Sequence, residues 1–152
     1  MLVVRSTRDL SSYVGKKLGP TAWLEITQTR IDAFAECTGD HQWIHVDPAR
    51  AARELPDGKT IAHGWLTVSL LPFFIQQLYR IEGVSRRVNY GSNRLRFVQS
   101  VPAGARIRAW LTILDMQPRH GGIEIKTEVE IEIEGSAKPA LAVEHLAIAY
   151  DS

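Results

Sequence analysis

Two aspartates and two histidines fall within eight consecutive positions, as Asp40, His41, His45 and Asp47 of the stretch TGDHQWIHVDPARAA (38–52). Carboxylates and imidazoles are the side chains that proteins use to hold divalent metal ions and to transfer protons near neutral pH. Residues of these types are also common in turns. The stretch therefore allows three interpretations: a metal site, an acid/base pair or a structural turn.

A metal site would use His41 and His45, which are four residues apart and would share one face of a helix. The segment is not typical of a helix, however, because it follows Gly39 and precedes Pro48. It has no glutamate in the position that the HExxH motif requires, and no third ligand is evident. Because two histidines alone are a weak metal motif, we expect no metal here.

An acid/base pair would use Asp40 and His45, which are five residues apart in a loop that leaves a helix and can converge on one small volume. Burial among apolar residues would raise the pKa of the aspartate and lower the pKa of the histidine, which brings both towards competence as base and acid. On spacing alone we favour the structural alternative by roughly two to one. In that alternative Asp40 caps a turn and His45 is a core residue.

The fragment IAHGW (61–65) shifts this balance towards acid/base chemistry. Gly64 stands where an apolar helix begins, so its backbone N–H is an unpaired donor at the positive end of the helix dipole. Such a donor suits a carbonyl oxygen that gains negative charge, and glycine lets a substrate come close. The alternative is an ordinary junction between loop and helix. We assign His63 mainly a structural role, capping this helix, and include it among the candidate substrate-binding residues.

The composition is typical of a single globular domain, with 152 residues that are 45% hydrophobic and 23% charged. The formal net charge of +1 indicates neither a nucleic-acid partner nor an anionic membrane surface. Arg5 and Arg8 interrupt the apolar N-terminal residues, which therefore do not resemble a signal peptide, and no segment is long enough to span a bilayer. The single cysteine, Cys37, fits a reducing compartment. We expect a cytoplasmic protein with one domain over residues 1–152.

The first half of the chain reads as helical. The segment 26–40 carries apolar residues at helical spacing, with Thr29 as an expected cap and Gly39 as the stop. The segment 63–80, HGWLTVSLLPFFIQQLYR, is apolar on nearly every side and favours one long buried helix, with a kink at Pro72.

The second half reads as strands. In the segment 122–135, GIEIKTEVEIEIEG, apolar residues alternate with charged ones, which predicts a strand with one covered face. Segments 85–100, 105–114 and 140–150 also read as strands, the first with a bulge near Gly91. This pattern predicts an α+β hot-dog fold, in which a curved antiparallel sheet wraps around one long central helix. The sheet would leave an edge and an apolar flank to cover, which suggests a homodimer.

Four fragments in this order, GDHQWIHVDPARA, IAHGWLT, NYGSNRLRF and VPAG, resemble the MaoC-like (R)-specific enoyl-CoA hydratases, and among them the nodulation protein N-like dehydratases. The resemblance covers nearly the whole chain. It implies a hot-dog homodimer that reversibly hydrates trans-2-enoyl-CoA to (R)-3-hydroxyacyl-CoA without a cofactor or a metal. By position it makes Asp40 and His45 the catalytic pair that holds the attacking water, and the N–H of Gly64 the donor that polarises the thioester carbonyl.

The sequence departs from the family pattern beside the catalytic pair. Gln42 and Trp43 stand where the family often has asparagine and proline, so the amide of Gln42 reaches one methylene further, and Trp43 could narrow the acyl pocket or fill it. In NYGSN, Tyr90 and Asn93 are candidates to hydrogen-bond the thioester arm, although the same residues also make an ordinary bulge.

Other functions compete with the hydratase. A hot-dog acyl-CoA thioesterase also needs a carboxylate and an electrophilic N–H, but does not need the Asp–loop–His pairing that precedes HGW. A non-catalytic module that binds acyl-CoA or acyl carrier protein would use the same pocket without turnover. A purely structural dimer is disfavoured, because polar groups at a pocket floor would have no use in it. The acyl chain length and the carrier are left open by the sequence.

Overall fold

Residues 1–151 are described by a computed structural model, and within them the chain forms eight strands and six helices. The strands are β1 (Leu2–Val4), β2 (Lys17–Leu18), β3 (Leu24–Glu25), β4 (Tyr79–Ile81), β5 (Val84–Phe97), β6 (Arg106–Arg119), β7 (Gly122–Ile133) and β8 (Leu141–Asp151). The helices are α1 (Thr7–Ser11), α2 (Gln28–Thr38), α3 (Trp43–Val46), α4 (Pro48–Glu54), α5 (Gly64–Ser69) and α6 (Leu71–Leu78).

The main sheet is antiparallel, with the strand order β2-β6-β7-β8-β5, and β3 also pairs with β6. Its four long strands, β5 to β8, are the four that the hydrophobic alternation predicts. Along β7, Ile125, Val129 and Ile131 are buried on one face, as expected for a sheet that covers the core. The β5–β8 register shifts between Asn89 and Gly91, which confirms the predicted bulge. The short strands β1 and β4 form a separate parallel pair.

The predicted central helix is present as two consecutive segments, α5 and α6, joined at Leu70. The N–H of Leu70 donates to the carbonyl of Leu66, and the N–H of Phe74 donates to the carbonyl of Leu70, so hydrogen bonding continues across the join. Pro72 lies in the first turn of α6, where a backbone N–H is not needed for the helical hydrogen bonds. The helix is divided at Leu70, two residues before the proline at which a kink was predicted.

The central helix is buried on one side rather than on every side. Phe74 and Ile75 are almost completely buried in the core cluster beneath the sheet, and α6 packs against β6. Trp65, by contrast, is 62% exposed and Phe73 is 41% exposed. The prediction of an all-round buried helix is wrong for the single chain, because the sheet curves over one side of the helix only.

Two local predictions also need correction. Helix α2 begins after Thr27, whose side chain accepts from the N–H of Arg30, so the N-cap is Thr27 and not Thr29. It ends at Gly39 in the left-handed conformation (φ 78°), as predicted. His45, expected in a loop, lies in the single helical turn α3.

Of the helices within residues 1–151, none combines the length and the apolar character needed to cross a membrane.

The packing of the hydrophobic core predicts that Phe74 contributes a large share of the free energy of unfolding. Replacing Phe74 with alanine removes a fully buried ring between helix and sheet and should lower the free energy of unfolding by about 3–5 kcal/mol. Urea denaturation followed by circular dichroism measures this. Val14→Ala, at a position that is 43% exposed, should change the free energy by less than about 0.5 kcal/mol. Equal losses in the two variants would contradict the assigned core.

Candidate active site

Gln28 of helix α2 anchors the segment that carries Asp40 and His45. The side-chain N–H of Gln28 donates to the backbone carbonyl of His45 at 2.7 Å, and its carbonyl oxygen accepts from the hydroxyl of Thr60. The N–H of Ile61 also donates to the carbonyl of Ile44 at 3.0 Å. These bonds hold the turn α3 against the segment that leads into the central helix. Neither Gln28 nor Thr60 was identified from the sequence, because both act through contacts distant along the chain.

The imidazole of His45 is buried and is held by one backbone carbonyl. Its Nδ1 lies 2.6 Å from the carbonyl oxygen of Ile61. Since a carbonyl only accepts, Nδ1 carries the hydrogen and Nε2 of the neutral ring is left with a free lone pair. Burial lowers the pKa of His45 below its ordinary value of 6.5, and the nearby His63 lowers it further, while the Ile61 carbonyl and Asp40 oppose the shift. The ring is therefore set up as a neutral proton acceptor.

His63 links the two members of the predicted pair. Its ring stacks on the ring of His45, with centroids 3.8 Å apart and planes 26° apart. Its Nε2 donates to the backbone carbonyl of Asp40 at 2.9 Å, and the ring of Phe34 lies on it at 5.0 Å. His63 is 2% exposed and makes no side-chain cap to α5, so its expected capping role is wrong. It fixes where Asp40 and His45 lie relative to each other.

A cavity of about 260 Å³ lies beside His45, between the segment Ile61–Gly64 and the end of β5. Gly64 is the first residue of α5, and its N–H makes no hydrogen bond within the described chain. A Cβ at this position would lie 2.7 Å from Cε1 of Phe97. Glycine is required here because the Phe97 ring packs directly against its backbone. Phe97, which was not identified from the sequence, therefore forms one wall of the cavity.

Asp40, His45 and His63 are also the set that could hold a metal ion, since one ligand atom from each lies within 4.8 Å of the others. The free nitrogens are Nε2 of His45 and Nδ1 of His63, and the latter is buried with no partner among residues 1–151. A bound ion lies in the plane of each imidazole, about 2.0–2.1 Å from the nitrogen. The planes of the two stacked rings differ by only 26°. One ion could therefore not lie in both planes unless one ring turned. This arrangement suits proton transfer better than metal binding.

The remaining predicted site residues are not all brought to this cavity. The backbone N–H of Gln42 lies 3.4 Å from Oδ1 of Asp40, and Gln42 is exposed. Trp43 lies under the guanidinium of Arg50 at 4.1 Å, rather than in the cavity.

Tyr90 and Asn93 lie away from the pair in this chain. The hydroxyl of Tyr90 accepts from Arg119, and the amide of Asn93 donates to Glu144 at 2.8 Å on the sheet face that points away from the central helix. The structure therefore places His45 and Gly64 at one cavity and leaves Tyr90 and Asn93 outside it. Asp40 and His63 lie beside His45, with one polar side-chain atom of each within 4.8 Å of the others.

Comparison with known proteins shows which family the chain resembles. A family model described as a MaoC-like domain matches residues 9–134. The 3-hydroxyacyl-thioester dehydratase Z of Mycobacterium tuberculosis (strain H37Rv) is 44% identical over 147 residues, which cover 96% of this chain and 97% of the relative. Nodulation protein N of Rhizobium leguminosarum bv. viciae is 41% identical over 145 residues, which cover 94% of this chain and 90% of the relative.

Solved structures share the architecture. The unliganded R-hydratase PhaJ1 from Pseudomonas aeruginosa has a TM-score of 0.70 and 25% identity, over 91% of this chain and 83% of that one. The (R)-hydratase from A. caviae has a TM-score of 0.71 and 24% identity, over 88% of this chain and 94% of that one. Together with the sheet and the central helix, these similarities confirm the predicted α+β hot-dog fold.

Burial and the neighbouring His63 lower the pKa of His45, and titration can measure this shift. The NMR signal of His45, assigned by its loss in His45→Gln, should show a midpoint below 6.5. Because the unfolded chain then binds the proton more tightly than the folded one, His45 should reduce folding stability as the pH falls below 6.5. In His63→Gln the midpoint should rise, because one of the causes of the lowered pKa is removed. A midpoint at or above 6.5 in the unmodified protein would contradict the described environment.

Proposed function

The chain belongs to the MaoC-like domain family, and on this basis we propose that it is an (R)-specific enoyl-CoA hydratase, which equally dehydrates (R)-3-hydroxyacyl-CoA because the reaction is reversible. The observation that carries the proposal is that a neutral imidazole and a free backbone N–H line one cavity, while a carboxylate oxygen of Asp40 lies within 4.8 Å of a ring nitrogen of His45. These are the three groups that hydration of an enoyl thioester requires: a base, a second group to hold the water, and a donor to the carbonyl oxygen.

In the proposed reaction, a water molecule is held between the Asp40 carboxylate and the free Nε2 of His45. Asp40 accepts a proton as the water oxygen bonds to C3 and the C2–C3 double bond is broken. The electron pair moves towards the thioester carbonyl, whose oxygen gains negative charge and accepts from the N–H of Gly64. The pair then delivers a proton to C2, so one water is added and both side chains return to their starting protonation.

We propose a positioning role for His63. It touches both catalytic residues, through the ring stack with His45 and the hydrogen bond to the carbonyl of Asp40. Since His63 is buried, it holds Asp40 and His45 at a fixed distance from each other without contacting the substrate. Gln42, whose backbone N–H lies beside the Asp40 carboxylate, is the predicted neighbour of the incoming thioester.

A homodimer that pairs through strand β5 completes the proposal. This 14-residue strand pairs with β8 on one side, and its other edge has no partner strand within residues 1–151. Along it and just beyond it, Val88, Tyr90, Phe97 and Val98 are between 43% and 48% exposed. A long unpaired edge that carries exposed apolar side chains among polar ones is prone to association, and a two-fold axis across it would cover both copies at once. We also expect the 152 residues to form one hot-dog domain and the protein to be cytoplasmic.

The test of the catalytic proposal uses crotonyl-CoA and longer trans-2-enoyl-CoAs, with loss of the conjugated thioester absorbance and release of free thiol followed in parallel. Asp40→Asn and His45→Gln should each reduce hydration about a hundred-fold or more, because each removes one partner of an acid/base pair. His41→Gln, which changes an exposed histidine four residues away, is the matched control and should retain the rate.

Two other outcomes would identify the alternatives. Free thiol at a rate equal to the loss of conjugation would make the protein an acyl-CoA thioesterase. Tight thioester binding without turnover, unchanged in Asp40→Asn and His45→Gln, would make it a binding module and would overturn the proposed roles.

The dimer prediction is tested by light scattering after gel filtration. The chain mass of 17.0 kDa predicts 2 × 17.0 = 34.0 kDa for the assembly. Val88→Lys places a charge on the β5 surface and should shift the mass to that of one chain. Val14→Lys, which adds the same charge at another exposed valine, should remain dimeric. A mass of 17 kDa for the unmodified protein, at all concentrations tested, would contradict the pairing.

A further inference from the structure

A second cavity, of about 430 Å³, lies between the central helix and strands β5 and β8. Val68, Leu71 and Pro72 line it from the helix side, and Asn89, Ser92 and His145 line it from the sheet side. None of these residues takes part in the acid/base chemistry described above.

The second cavity lies further along the central helix than the first one, and strand β5 lines both of them. The first cavity is bounded by Gly64 and Thr67 of α5 and by Phe97 of β5, while the second begins at Val68. An α-helix rises 1.5 Å per residue. Val68 and Pro72 are four and eight residues after Gly64, so they lie roughly 6 Å and 12 Å further along the helix axis. An acyl group whose carbonyl oxygen is bound at the N–H of Gly64 would therefore extend its distal part into the second cavity.

The floor of the second cavity is polar, whereas its helix side is apolar except for Ser69, whose hydroxyl donates to the carbonyl of Trp65. In the β5–β8 register Ser92 is opposite His145 and Asn89 is opposite Ala147, so Ser92, Asn89 and His145 all lie on the side that faces the central helix. His145 is 7% exposed, and its Nε2 lies 3.2 Å from Oδ1 of Asn89. Its Nε2–H donates to that oxygen, and Nδ1 then carries a free lone pair.

Three hydrogen-bonding groups remain without a partner among residues 1–151: Nδ1 of His145, the amide N–H₂ of Asn89 and the hydroxyl of Ser92. Burial, together with the positive charge of Arg87, lowers the pKa of His145 to about 4, so the ring is uncharged at neutral pH. A plain alkyl tail would displace water from these groups and leave them unpaired, which costs free energy. Sites built to hydrogen-bond a substrate oxygen discriminate strongly against the analogue that lacks it.

We propose that the second cavity binds the distal part of the acyl group, and that His145 and Asn89 select acyl groups that carry an oxygen there, as a hydroxyl or a carbonyl, over unsubstituted alkyl chains. This inference rests on the proposed function, because it places the thioester at Gly64. It adds a substrate class to the reaction: medium-length acyl thioesters that are oxygenated away from the thioester.

The test separates binding in the second cavity from turnover in the first. Octanoyl-CoA and 8-hydroxyoctanoyl-CoA have acyl chains of equal length and lack the double bond, so calorimetry measures their affinities without reaction. The unmodified protein should bind the hydroxylated thioester at least about fivefold more tightly, the factor expected when one buried hydrogen bond is made rather than lost.

Two variants locate the selectivity. His145→Leu and Asn89→Leu replace the polar floor with apolar side chains of similar size, and each should remove or reverse the preference. Asn89 is exposed in the chain, so its replacement does not depend on a buried site tolerating the change. His41→Leu, a histidine outside both cavities, should keep the preference. Equal affinities in the unmodified protein, or a preference that persists in both floor variants, would overturn the inference.

Failure of this inference and failure of the proposed function give different results. Hydration of crotonyl-CoA, whose four-carbon acyl group is too short to extend far beyond the first cavity, reports on the reaction alone. Turnover of crotonyl-CoA with no preference between the two octanoyl thioesters would reject the polar acyl selectivity and retain the hydratase. A clear preference without turnover of crotonyl-CoA would retain the polar acyl selectivity and reject the hydratase.

Discussion

The hydrogen bond between Nδ1 of His45 and the carbonyl of Ile61 is the interaction on which the site depends. It joins the turn after α2 to the segment that starts the central helix, at 2.6 Å. It also decides the tautomer of the imidazole, because the carbonyl can only accept, and so directs the ring's free lone pair away from the backbone. With Gln28 holding the carbonyl of His45 from the other side, the ring has little freedom to turn. His63 stacks on this fixed ring and, through its hydrogen bond to the carbonyl of Asp40, holds Asp40 beside it.

The sheet separates two environments, and this separation explains where the chemistry lies. Its inner face meets the central helix and is apolar apart from a few groups such as His145 and Thr127. Its outer face carries ion pairs between neighbouring strands, including Arg108 with Glu132 and Lys126 with Glu144. These pairs are partly buried, and they hold Glu132 and Lys126 of β7 on the outer face. On the inner face His145 is buried, whereas Asn89 and Ser92 are exposed at the second cavity.

The sequence predicted the parts of the fold that depend on local periodicity. Alternation in 122–135 predicts β7 because a strand repeats every two residues, and the apolar run after Gly64 predicts the central helix because it is too long for a strand. Bulges limit this kind of prediction, because they change which face of the strand each later residue occupies. Without the register shift after Asn89, Asn93 would share a face with Asn89, but the extra residue puts Ser92 on the inner face and turns Asn93 outward. A shift of one residue exchanges the two faces of a strand, and the sequence does not show which residue is extra.

The sequence by itself determined the kinds of groups available to the site: Asp40, His45 and a glycine at the start of an apolar helix. These are read from residue types and short spacings, which the chain fixes locally. Only the tertiary structure decided that His63 stacks on His45, that Phe97 packs against Gly64 and that His145 lines a second cavity. Each of these contacts joins residues that are distant in sequence. They form because one sheet and one helix bury their apolar faces against each other, and that packing selects which polar side chains share an enclosed space.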